Sequence, residues 1–197
     1  MEQLQRVTLR ISKKLADFHS GVYDFDDHVV PYSKTAYNLD ADILILGQDW
    51  ASEEFLSKSV NQDQVKYGFD PKLPTNTRLF GLLEDYWETQ FQDTYATDLF
   101  VFVKGGDMTA GLKQKDLVLS ATQFAIPQIE IIEPKIVICL GGATFNAVRK
   151  CNGLGYTPLK HGLSETSFRL GNSMIVGVNH KGGVGTAVSG GQAAHQR

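Results

Sequence analysis

The sequence predicts an α/β fold, a three-layer α/β/α sandwich on a four-stranded parallel sheet, in a single domain covering residues 1–197. Three observations lead there. Four runs, near Ile43, Leu99, Val137 and Val176, are rich in Ile, Leu, Val and Phe, as strands covered on both faces are. Segments with helical spacing separate these runs, and strands alternating with helices imply a parallel sheet. The composition, 42% hydrophobic and 21% charged over 197 residues, is that of an ordinary globular domain with a substantial core.

Taken in order, Val7, Ile11, Leu15 and Phe18 place an amphipathic helix over 3–19, stopped before Gly21. The stretch 21–39 has no sustained period and reads as a connection into the first strand, which runs from Asp42 to Leu46 and meets Gly47. Residues 51–57 read as a short helix and 61–74 as loop. Thr75 to Glu88 is a helix with Leu79, Leu82, Leu83, Tyr86 and Trp87 inward and Thr75 or Asn76 as its cap. Thr94 to Val103 is the second strand, interrupted by Asp98, and Lys104 to Gly111 is a glycine-containing loop. Helical periodicity over 112–132 meets Pro127, which suits a helix start better than a middle, so a split is expected near Ile126. Ile136 to Leu140 is the third strand, Ala143 to Cys151 a helix ended by Asn152 and Gly153, and Met174 to Val178 the fourth strand.

Composition also bounds the setting. No apolar run reaches the ~20 residues that span a bilayer, and Met1-Glu2-Gln3-Leu4-Gln5 lacks the basic start of a secretion signal, so a cytoplasmic monomer with no membrane partner is expected. Cys139 and Cys151 are the two cysteines, too few for a four-iron cluster, and neither a metal nor another cofactor is expected. The net charge of −3 disfavours strong non-specific binding to DNA. Arg149, Lys150, Lys160, His161 and Lys181 give the last third a local basic bias, whose plainer meaning is a solvated face.

Candidate chemistry sits at strand ends. In open α/β sheets ligands settle beyond the carboxyl ends of the strands, where Gly47, Gln48, Asp49 and Trp50 stand. Asp49 either serves a site or caps the following helix. His180 follows the last strand as Asp49 follows the first, so both would converge on one sheet edge. Asp98 either ends the buried part of its strand or serves a site, because an unpaired buried carboxylate is expensive.

The stretch Leu44-Ile45-Leu46-Gly47-Gln48-Asp49 resembles the first motif of the uracil-DNA glycosylase superfamily, a strand ending in Gly-Gln-Asp. Pro74-Thr75-Asn76-Thr77-Arg78-Leu79, Glu133 to Gly141 and Val178-Asn179-His180 follow in the superfamily's order, so the likeness spans Tyr32 to Val188. The resemblance implies a uracil-DNA glycosylase-like fold and excision of a flipped, damaged or deaminated base from DNA in base excision repair. It gives Asp49 the attacking water and His180 the departing base. It implies substrate contacts from Gly47, Gln48, Trp50, Phe69 as a stacking ring, and Asp98. DNA-backbone contacts fall to Thr75, Thr77 and Lys181, with Val184 as the wedge. Four positions depart from the pattern. Asp98 stands where an Asn reads the uracil edge, and ionised Asp only accepts hydrogen bonds. Trp50 and Ala51 replace a Pro and a Tyr, and Lys181 replaces a Pro.

These residues suit N-glycosidic hydrolysis, in which a carboxylate stabilises the sugar cation and an imidazole N–H holds the anionic base. Two other readings stay open. One is a non-catalytic module binding damaged or single-stranded nucleic acid, and the other is a hydrolase of free nucleosides or nucleotides.

Overall fold

Each of the four expected apolar runs forms a strand in the structure, a computed structural model that describes residues 38–58, 61–159 and 167–178. The helix expected over 3–19 lies outside the described residues, as do His180, Lys181 and Val184. Strands β1 (Ile43–Asp49), β2 (Tyr95–Phe100), β3 (Ile136–Leu140), β4 (Phe168–Leu170) and β5 (Ser173–Val178) form one sheet in the order β2-β1-β3-β5-β4. β1 pairs in parallel with β2 and β3, and β3 with β5.

The expected sheet of four parallel strands needs correcting, because the five-stranded sheet ends in β4, antiparallel to β5. Three residues around a central Arg169, returning through Gly171 at φ 56°, are too short for an alternating pattern to be read.

Helices cover both faces. On one, Leu79 and Leu83 of α3 (Pro74–Trp87) pack on Ile43, Ile45, Ala96, Ile138 and Leu140. On the other, Leu117, Ala121, Ala125 and Ile129 join Phe145 and Val148 against Leu44, Leu46, Leu99, Val137 and Cys139. That layer comprises α4 (Gln114–Ser120), a π-helical segment (Ala121–Ala125), α5 (Ile126–Ile132) and α6 (Gly142–Cys151). The expected split near Ile126 falls where the π turn gives way to α5, with Pro127 in its first turn, and the helical path runs on through it. Pro127 cannot donate to the preceding turn, and the wider π turn before it lets the helix continue past the missing bond.

Before β2 the chain forms α1 (Glu53–Leu56), capped by Ser52, and α2 (Gln62–Tyr67). The second corrects the reading of 61–74 as loop: Asn61 caps this single turn and a half, and Gly68 ends it at φ 81°. α3 is not capped by Thr75 or Asn76, because Pro74 takes its first position with Leu73 at the cap. Asn76 turns back instead, donating to the Asp70 carbonyl at 2.8 Å. Tyr86, expected inside, is exposed.

Among the described residues, edge strand β2 has only β1 beside it, yet all six of its residues are buried. Ser120 accounts for part of this, donating to Leu99 O at 2.7 Å and accepting from Val101 N at 3.3 Å. Tyr95 donates to the buried Gln128 side chain at 2.8 Å. At the opposite side, Phe168 of β4 packs on Phe145 beneath the Arg149 guanidinium. Among the described residues, no helix is long and apolar enough to cross a membrane.

Gly177 carries the tightest packing on the α6 face. A Cβ there would lie 2.5 Å from Leu159 Cδ2 and 2.8 Å from Phe145 Cγ. Gly177→Ala is therefore expected to lower stability by about 1–3 kcal/mol in urea denaturation, as overpacked cores do.

Candidate active site

Parallel pairing brings the carboxyl ends of β1, β2, β3 and β5 to one edge of the sheet, and β1 there carries Gly47, Gln48 and Asp49. Side chains alternate along a strand, so Gly47 and Asp49 continue the face of Ile43 and Ile45, and Asp98 that of Ala96. Gly47 stands directly opposite Asp98. A Cβ on Gly47 would lie 2.2 Å from Asp98 Oδ1 and 3.3 Å from Cγ, so the carboxyl occupies the space a side chain would take. A side chain fits here only if the Asp98 carboxyl moves.

Asp49 Oδ2 lies 2.7 Å from Lys104 Nζ, with side-chain exposures of 8% and 4%. The contact is an ion pair by distance, without hydrogen-bond alignment at the carboxylate. Gln48 Nε2 donates to the other oxygen, Oδ1, at 2.9 Å. Lys104 Nζ also donates to Met108 O at 2.7 Å. The backbone around this lysine is fixed: Lys104 N donates to Ala51 O, Glu53 N to Lys104 O and Glu54 N to Gly106 O, at 3.3, 2.9 and 3.1 Å. The loop after β2 is thereby laced to the start of α1, and the ammonium reaches back to the end of β1.

Asp98 differs from its neighbour. It is 3% exposed, and its Oδ2 accepts no hydrogen bond among the described residues. Burial, and then the negative charge of Asp49, push its carboxyl up to about 8, so it holds its proton at neutral pH. A protonated carboxyl both donates and accepts, unlike an ionised one, which only accepts.

Other expected site residues are dispersed. Trp50 is a core residue, packed with Leu56, Val101, Val103 and Phe124, its Nε1 3.4 Å from Val101 O. Phe69 is half-buried after Gly68, edge-on to Phe80 and Phe91 with centroids 5.0 and 5.3 Å away. It lies on the sheet face that carries Asp98. Thr75 and Thr77 occupy the first turn of α3, where Thr77 Oγ1 donates locally to Pro71 O at 3.3 Å.

Sequence reasoning missed Lys104, placing it only in a glycine-containing loop. A signal was present: the lysine directly follows Val101-Phe102-Val103, where a charge closing an apolar run must find a partner or water.

Two predictions test the electrostatics. Asp98, unlike most carboxyls, has a folded pKa raised from 3.8 to about 8, so the folded state retains a proton that the unfolded state has lost. The corresponding stabilisation is complete below about pH 4 and disappears as pH rises toward 8, at up to about 1.4 kcal/mol per unit. The neighbouring charge is Asp49, itself paired with Lys104. Asp98→Asn should therefore gain stability relative to wild type between pH 4 and pH 8, read by denaturation across that range. Lys104→Met should lose about 3–5 kcal/mol by leaving Asp49 buried without its cation, and Asp49→Asn in the same chain should recover part of the loss.

Compared with known proteins, the chain matches no family model and no curated protein sequence.

Proposed function

We propose that this protein is a DNA glycosylase that hydrolyses the N-glycosidic bond of a flipped, damaged or deaminated base. The observation that carries this reading is the placement of Asp49 and Asp98 on one sheet face at the carboxyl edge of parallel strands, with Lys104 against Asp49. N-glycosidic cleavage develops positive charge at the sugar and negative charge on the departing base. Asp49 answers the first need by stabilising the sugar cation and orienting water. His180, two residues beyond the end of β5, answers the second in this reading through an imidazole N–H. The substrate base must leave its stack to reach such a site, and Phe69 stands on the same sheet face to flank it.

One observation favours a second reading, a module that binds damaged or single-stranded nucleic acid without cutting it. Asp49 is engaged by both Gln48 and Lys104, contacts that suit a structural role as well as a catalytic one.

The discriminating experiment is a panel of oligonucleotides, each carrying one modified base, assayed for abasic-site formation. The wild type should release at least one base. Asp49→Asn keeps the shape and loses the charge, so the rate should fall by about 10²-fold or more while the oligonucleotide still binds. Equal rates would reduce Asp49 to a structural partner of Lys104. Binding of a modified oligonucleotide with no release from any would favour the module.

A further inference from the structure

Asp98 is a buried acid at the carboxyl edge of the sheet, with Gly47 opposite it and Asp49 on the same face. Its Oδ2 is sealed from water and accepts no hydrogen bond among the described residues, although an unpartnered buried carboxyl is costly. Gly47 opens the space its carboxyl fills, and Asp49 stands two residues farther along on the same face. A structural carboxyl would be expected to find a local amide or cation, as Asp49 finds Lys104. Asp98 instead keeps an oxygen unused beside the very group that the glycosylase reading makes catalytic.

We propose that Asp98 is the general acid of this site, giving its proton to a ring nitrogen of the departing base, so that the substrate is a purine- or cytosine-type base with an acceptor nitrogen. This rests on the glycosylase reading above. A uracil-type base leaves as a stabilised anion and needs no acid, whereas a base with an unprotonated acceptor nitrogen leaves far more readily once that nitrogen is protonated. In the step, the C1′–N bond breaks with its electron pair passing to the base, while the Asp98 O–H proton moves to the base nitrogen. Water adds its oxygen to C1′ and loses a proton to the Asp49 carboxylate. Asp49 then releases that proton to solvent, and Asp98 takes one back from solvent. One water is consumed, its hydroxyl ending on the sugar and a hydrogen on the base. An entering base must displace what covers the Asp98 carboxyl, and in doing so supplies the partner its Oδ2 lacks.

The electrostatics agree with this division. Burial and the Asp49 charge hold the Asp98 carboxyl up at about 8, so the acid is loaded at neutral pH. Asp49 sits against a cation instead. Two carboxyls in contrasting environments are suited to opposite tasks, one as acid and one as charged base.

The test is single-turnover base release from oligonucleotides carrying adenine, hypoxanthine or cytosine opposite each of the other bases, and uracil as the comparison, from pH 5 to pH 10. The expected result is release of an acceptor-nitrogen base by the wild type, at a rate falling as pH rises through about 8. Asp98→Asn, nearly isosteric, should lose about 10²- to 10⁴-fold on that base and lose the alkaline fall. Release of uracil alone by the wild type would overturn the proposal and leave the glycosylase reading intact. So would an unchanged rate in Asp98→Asn. The wild-type pH profile needs no variant, so a poorly folded Asp98→Asn does not shield the idea: a flat profile between pH 7 and pH 9 also overturns it. No release of any base by the wild type removes the glycosylase reading and this proposal with it.

Discussion

A carboxylate and an ammonium held 2.7 Å apart and out of water govern the arrangement of this protein's carboxyl edge. Removing two charges from solvent costs several kcal/mol for each, and the attraction between them repays this only if the geometry is held. Here it is held from three directions. β1 ends at Asp49, the loop after β2 is bonded to the start of α1 on both sides of Lys104, and Met108 O accepts a further ammonium proton. Shifting any of these elements would strand a charge. Strand, loop and helix are thus tied to one another by electrostatics as well as by the apolar packing of Trp50, Val101 and Val103 beneath them.

The same pair shapes its neighbour. Asp98 stands next to a negative charge and away from water, and both conditions favour its neutral form. The edge therefore holds two aspartates in contrasting surroundings on adjacent strands, one against a cation and one buried without one. The glycine between them is part of the electrostatics, because any side chain at Gly47 would push the Asp98 carboxyl aside and alter its distance from Asp49.

Much of this was legible in the sequence, and the parts that were not have identifiable physical causes. β3 falls within the bounds its apolar run suggested, and β1 and β5 lie within a few residues, because strands buried on both faces leave little else to read. β4 was not legible, since three residues carry no period, and α2 was masked by a polar segment whose order comes from caps at Asn61 and Gly68. Pro127 marked the start of α5, but propensity does not say that a neighbouring π turn carries the helical path into it. At the site, Gly47 and Asp49 could be picked out by their place after a strand. The link to Lys104 could not, because 55 residues separate the partners and only the fold brings them together. Trp50 was drawn into the site by its place after Asp49 and by the resemblance, whereas its indole packs in the core under the loop after β2.

The two borders of the sheet are closed by different means. Along β2, Ser120 satisfies the carbonyl of Leu99 and the amide of Val101, so those two backbone groups are already committed. Along the other border, β4 is three residues long and carries the exposed Arg169 at its centre. Long, flat, apolar borders recruit strands from other chains, and neither border has that character. Among the described residues, each border is thus closed by a single small feature, so the sheet would expose a pairing edge only when Ser120 or β4 lets go.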